Sequence, residues 1–349
     1  MRERTTRRAR GRARTRHGRV PAAVLCAAVL VTGSAAPPAR AAPLPPSASA
    51  VAGTGPVADG LPTIVDEAWV DDRTVDLELR SPAGGGPARV RLLLPDDWNR
   101  EADRTWPVLY LLHGCCDDHT AWTDHTDVAE LARAADLIVA LPSGGPVGMY
   151  TDWWHYGRGG ADWGRFTARE LPDLLEAEFA AGGPRAIAGL STGGHAALAL
   201  AASDPGRYAA VAAFSPIAHT TLPGVPLLIQ GMAVREGADP YALWGSPWSQ
   251  ADLWRANNPY ENTEGLRGSA VYLSVGDGRP GPLDPEGAEG GELEAALAPT
   301  VYTLALRLRA RGMPATTHFY GRGTHSWPYW ERELHAAWPT LTEPLVQGG

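Results

Sequence analysis

The sequence predicts an α/β fold in which helices cover both faces of a mostly parallel central sheet. Two observations predict it. Short runs rich in Val, Leu and Ile recur along the chain, and helical patterns separate them. One of those runs, Arg185–Leu190, also passes through a glycine-flanked turn straight into a good helix former, Thr192–Ala202.

The expected strands are Ala88–Leu94, Pro107–Leu112, Leu137–Leu141, Arg185–Leu190, Ala209–Phe214, Ser269–Val275 and Thr316–Tyr320. Helices are expected over Thr126–Ala135, Arg165–Ala180, Thr192–Ala202, Ala298–Arg311 and Tyr329–Thr340. The stretch Leu222–Glu264, which holds Trp244, Trp248 and Trp254, breaks the alternation and reads as a cap or insertion over the site. No internal repeat is visible.

With 349 residues, the chain suits one catalytic domain plus an export segment. Nine arginines precede an apolar run from Val20 to Val31, which ends near Ala39-Arg40-Ala41. That order of basic, apolar and small residues predicts a secretory signal over residues 1–41. The run is shorter than the roughly 18 apolar residues a membrane anchor needs. A secreted or cell-envelope protein with no transmembrane anchor after signal removal is therefore expected. Residues 42–62, rich in Pro, Ala, Ser and Gly, read as a disordered linker, and residues 63–349 as the folded domain.

Loss of the signal removes ten arginines and one glutamate, which takes the formal charge from −8 to −17. So acidic a surface disfavours nucleic acid as a partner. Cys26 lies in the signal, which leaves only the adjacent pair Cys115 and Cys116. There is no disulfide framework and no zinc spacing. The pair reads either as a vicinal disulfide or as two small buried thiols.

Gly189-Leu190-Ser191-Thr192-Gly193 has the strand, sharp turn and helix of a nucleophile elbow, the signature of the α/β-hydrolase fold. Gly189 and Gly193 remove side chains that would collide across the turn, and Ser191 falls at a helix N-terminus that favours developing negative charge. Its hydroxyl needs a base, and in this fold the order is serine, acid, histidine. Of His195, His219, His318, His325 and His335, only His325 sits in a loop after the last strand, Gly321-Arg322-Gly323-Thr324-His325-Ser326-Trp327. The acid is either Asp277, directly after Ser269–Val275, or Glu294, and position alone favours Asp277. The oxyanion donors are expected to be the backbone N–H groups of Thr192 and of Cys115 in Leu111-Leu112-His113-Gly114-Cys115-Cys116.

Among thirteen tryptophans, most read as core. Trp327, two residues from the base, is the exception expected in the substrate pocket, with Trp153 and His113 as further candidates. Asp117, Asp118, His119 and Asp124 lack metal-ligand spacing, and Asp284–Glu294 reads as a solvated acidic loop. No metal and no cofactor are expected.

The chain resembles the antigen 85 mycolyltransferases and the wider esterase D group of secreted actinobacterial hydrolases. The likeness rests on Leu112-His113-Gly114, Tyr150-Thr151-Asp152-Trp153, Glu170-Leu171-Pro172, Gly189-Leu190-Ser191 and Gly323-Thr324-His325-Ser326-Trp327-Pro328-Tyr329-Trp330. It implies an acyl-Ser191 intermediate and an acid within a Leu-Glu pair, which Leu293-Glu294 matches, so Glu294 overtakes Asp277. True mycolyltransferases place an aspartate before the oxyanion-loop glycine and an arginine shortly after it. Here those places hold His113 and Cys115-Cys116-Asp117-Asp118, without arginine.

The resemblance therefore implies a secreted serine esterase acting on small-molecule, lipid or glycolipid esters. An acyltransferase serving a sugar or lipid hydroxyl is the alternative within enzymes. An inactive matrix- or glycan-binding relative is the alternative outside them.

Overall fold

The computed structural model describes residues 60–84, 86–313 and 315–346. The expected signal and nearly all of the expected linker lie outside them. Among the described residues nine strands form one sheet: β1 Thr63–Trp69, β2 Thr74–Arg80, β3 Pro87–Leu93, β4 Trp106–Leu112, β5 Ile138–Pro142, β6 Ala181–Leu190, β7 Ala210–Phe214, β8 Ala270–Gly276 and β9 Thr316–Gly321. Their spatial order is β1-β2-β3-β5-β4-β6-β7-β8-β9. Antiparallel pairing joins β1, β2, β3 and β5, and every pair from β5 through β4, β6, β7 and β8 to β9 is parallel.

The helices are α1 Ala121–His125, α2 Val128–Ala134, α3 Trp163–Arg165, α4 Leu171–Glu178, α5 Ser191–Ser203, α6 Val225–Arg235, α7 Ala251–Ala256, α8 Glu292–Ala310 and α9 Trp327–Val346. A π-helical turn, Phe166–Glu170, joins α3 to α4. All seven expected strands form, within a few residues of their expected ends.

Successive strand residues point to opposite faces, so each buried parallel strand feeds two cores. In β4, Val108, Tyr110 and Leu112 enter a core with Leu171, Leu175, Leu198, Leu297, Val301 and Leu304 of α4, α5 and α8. Leu109 and Leu111 enter the opposite core with Val128 and Ala132 of α2 and Leu334 and Leu341 of α9. Helices thus cover both faces, as the alternation of apolar runs predicts.

The β1–β2 hairpin is the main departure. β1 is an edge strand exposed along most of its length, with the sequence TIVDEAW. Its charged residues suit an edge that must not pair with another chain. The same charges hide it from a reading that searches for apolar runs.

α8 starts at Glu292, six residues before the expected Ala298. That earlier start draws Glu294 out of the expected acidic loop and places it, fully buried, in the first helical turn.

Candidate active site

β6 carries the chain into Ser191 with Leu190 still extended at φ −111° and ψ 150°. Ser191 itself has φ 53°, in the left-handed region that non-glycine residues seldom occupy, and it opens α5. The surroundings impose this turn. A Cβ on Gly189 would lie 2.5 Å from the Gly193 carbonyl, and one on Gly193 would lie 2.2 Å from the His113 oxygen. Both glycines are required for the strand, the helix and the β4 loop to pass one another at these distances.

The loop after β4 meets the serine from the other side. A Cβ on Gly114 would lie 3.2 Å from Ser191 Cβ. Trp122 Nε1 donates to the Leu112 carbonyl at 3.1 Å, and the His113 N–H donates to Tyr150 Oη at 3.0 Å. The Tyr150 hydroxyl in turn donates to the Pro142 carbonyl at 3.1 Å. The Gly114 carbonyl accepts from His113 Nδ1 at 2.8 Å and from the Asp117 N–H at 3.4 Å. Among the described residues the Cys115 N–H has no hydrogen-bond partner. Cys115 and Cys116 form a disulfide, so the vicinal pairing is the alternative the structure adopts.

His325 Nδ1 lies 2.7 Å from Glu294 Oε2. The other carboxylate oxygen, Oε1, accepts three bonds: from Ser215 Oγ at 2.8 Å, the Gly276 N–H at 2.7 Å and the Tyr320 hydroxyl at 3.0 Å. A fully buried carboxylate is costly unless paired and hydrogen-bonded, and these four contacts satisfy both conditions. Burial, followed by the charge of Glu294, pushes the Tyr320 phenol up, so it remains a donor. Ser215 has φ 47°, and its hydroxyl oxygen also accepts from Trp330 Nε1 at 3.3 Å. The sequence assigns Ser215, Gly276 and Tyr320 no role at the site, because no local spacing links residues on three different segments, and Trp330 enters only within the block that carries the resemblance.

Asp277, the acid that position alone favours, is engaged elsewhere. Its carboxylate pairs with Arg279, which holds it below the usual carboxylate range, and its backbone N–H donates to Gly321. Among the described residues the Ser191 hydroxyl makes no hydrogen bond, so the structure joins histidine to acid and leaves serine to histidine open. Such bonds often close only once substrate is bound.

The three expected pocket residues lie in different surroundings. Trp327 stacks on His125 at 4.7 Å and packs edge to face with Trp122, while the ring against His325 is Trp330, at 4.8 Å and 85°. A helix beginning at Trp327 turns the side chain three positions later toward the base. His113 is buried against Tyr150 with Nδ1 committed to Gly114.

Trp153 lines a different cavity of about 900 Å³, shared with Trp154, Trp244, His195 and the facing pair Asp152 and Asp162. Ser191 and His325 are not among its lining residues. Desolvation, then the charge of Asp162, raises Asp152 to about 6.

Burial lowers His113 and His195 to about 4, from 6.5 when unfolded. Unfolding therefore takes up protons between those values. The stability these neutral rings contribute is complete above pH 6.5 and is lost as pH falls toward 4. Denaturant titrations at pH 7 and pH 5 should differ by about 2 kcal/mol for each histidine.

The Esterase family profile matches residues 81–341, most of the chain and both halves of this site. The chain belongs to the Esterase family. Within it, the chain is 32% identical over 259 residues to the diacylglycerol acyltransferase/mycolyltransferase Ag85B of Mycolicibacterium smegmatis, covering 68% of this chain and 77% of the relative. Ag85B of Mycobacterium leprae is 30% identical over 257 residues, covering 69% and 76%.

Solved structures give the fold independently. MPT51 of Mycobacterium tuberculosis superposes with a TM-score of 0.60 at 24% identity, over 76% of this chain and 96% of that one. An S-formylglutathione hydrolase from Agrobacterium tumefaciens gives 0.63 at 17% identity, over 81% and 99%. This Esterase family member is thus an α/β-hydrolase-fold enzyme of the serine esterase and acyltransferase class, as the sequence resemblance implies.

Proposed function

We propose that the chain is a secreted serine esterase that hydrolyses carboxylic esters through an acyl-Ser191 intermediate. The observation that carries this is the 2.7 Å contact between His325 Nδ1 and the buried Glu294. An Nδ1–H that donates to Glu294 leaves Nε2 unprotonated and able to act as a base.

His325 Nε2 takes the Ser191 proton as Oγ attacks the ester carbonyl. The Thr192 and Cys115 N–H groups stabilise the oxyanion, and protonated His325 then returns the proton to the leaving alcohol. Water activated by the same imidazole attacks the acyl-serine, releasing the acid and restoring Ser191. No step calls for a metal or cofactor.

Transfer to a hydroxyl acceptor is the second reading, supported by the likeness to Ag85B, whose name describes acyl transfer. The departures at His113 and Cys115-Cys116-Asp117-Asp118 favour water. With p-nitrophenyl butyrate as donor, free butyrate should equal released p-nitrophenol even when trehalose or a diacylglycerol is added. Acyl-acceptor product in excess of butyrate would establish transfer instead.

Secretion is part of the proposal. It is supported by the basic, apolar and small-residue order at the N-terminus, and no described helix is long and apolar enough to cross a membrane.

A further inference from the structure

The anchors of the oxyanion loop leave one short stretch unexplained. Leu112, His113 and Gly114 are held by Trp122, Tyr150, the His113 ring and the Asp117 N–H. Cys115 and Cys116, the next two residues, are held by their mutual disulfide and by Arg235. Arg235 is the last residue of α6, within the insertion, and reaches across from a position 119 residues along the chain. Its guanidinium contacts Cys115 Sγ at 3.6 Å and Cys116 Sγ more closely, and it pairs with Glu236 at 3.0 Å. Cys116 adopts φ 80°, a left-handed conformation unusual for a side chain of this kind.

A disulfide between adjacent residues closes a small ring that fixes ψ of the first residue and φ of the second. The Gly114–Cys115 peptide lies outside this ring, but the ring ties Cys115 to Cys116 and, through Arg235, to α6, so the peptide that carries the Cys115 N–H, free of internal partners among the described residues, is anchored at its far end. Opening the ring releases the restraint it places on the left-handed Cys116. The sulfurs also lie within 4.8 Å of a Glu236 carboxylate oxygen. A thiolate there would meet a like charge and move away from it.

We propose that the Cys115–Cys116 disulfide and Arg235 are positioning residues that clasp the oxyanion loop to α6, so that the oxidation state of the pair sets turnover without altering ester binding. The proposal rests on the reading of the Cys115 N–H as an oxyanion donor. It extends that reading from the donor itself to what aims it. Reduction by a phosphine converts the disulfide to two thiols, and the phosphine becomes its oxide with oxygen from water. Oxidised glutathione reverses the change, and the pair re-forms as two glutathione thiols leave.

Loss of one whole oxyanion donor costs about 10²- to 10³-fold in kcat, so a misaimed donor should cost about tenfold or more. The test uses the full-length protein and p-nitrophenyl butyrate, before and after tris(2-carboxyethyl)phosphine, with the dithiol verified by intact mass. Reduction should lower kcat about tenfold or more with KM within about twofold. It should slow fluorophosphonate labelling of Ser191 in parallel, and oxidised glutathione should restore both. In the oxidised protein, Arg235→Ala should lower kcat with KM unchanged, and Arg235→Lys should recover part of the loss.

A verified dithiol enzyme with unchanged kcat would overturn the proposal, as would Arg235→Ala acting on KM alone. Should the reduced chain unfold, the two Arg235 variants decide the matter. Absence of label in the oxidised protein would instead overturn the serine reading, so the two failures are distinct.

Discussion

Glu294→Gln should lower kcat by about 10⁴-fold with little change in KM, the scale seen when a triad acid becomes its amide. The size follows from the four contacts on the carboxylate. Oε1 accepts from Ser215, Gly276 and Tyr320, so an amide at this place must turn its oxygen toward those three donors. Its NH2 then faces His325 Nδ1 and donates to it. The imidazole is forced into the tautomer with hydrogen on Nε2, which cannot accept the serine proton. Asp277→Asn should leave kcat within about twofold, because its carboxylate meets Arg279 rather than the imidazole. Steady-state kinetics on the two variants compare these outcomes directly, and the reverse order would transfer the acid role to Asp277.

Gly193→Ala should destabilise the fold by about 3 kcal/mol or more and abolish measurable turnover. The added carbon would lie 2.2 Å from the His113 oxygen and 2.6 Å from the Leu112 oxygen, and backbone cannot swing aside as a side chain can. Either α5 or the oxyanion loop must move, and both carry the site. Gly231→Ala is the matched control. Nothing lies within 4 Å of its Cβ position inside α6, so helix propensity alone acts there, raising stability by about 0.5–1 kcal/mol. Thermal and urea melts of the two variants should move in opposite directions.

The contrast between these glycines marks what a sequence can reveal. Gly193 is legible because the elbow is local: strand, serine, glycine and helix follow one another within a few residues. His325, the proposed base, is legible because this fold places its histidine after the last strand. The apolar strands are legible because burial on both faces leaves continuous Val, Leu and Ile runs. Glu294 needed the family resemblance, since an acidic stretch gives no sign of where a helix will begin.

The residues that hold Glu294 stayed hidden for another reason. Ser215 directly follows β7, Gly276 ends β8, Tyr320 lies in β9 and Trp330 in α9, and only the fold brings them together. Arg235 is the same kind of case. The loop lacks a nearby arginine in sequence, yet α6 delivers one to its disulfide. Trp327 is near His325 along the chain, yet the ring that packs against the imidazole is Trp330.

In the proposed function, Ser191 is the nucleophile and His325 and Glu294 serve it. Labelling the folded protein with a fluorophosphonate, followed by mass spectrometry of its peptides, reports on all three roles. A single adduct on Ser191 is expected, with none on Ser191→Ala and labelling slowed about 100-fold or more in His325→Gln. An unlabelled Ser191 in folded protein, or an adduct carried by another residue, would contradict the proposed function.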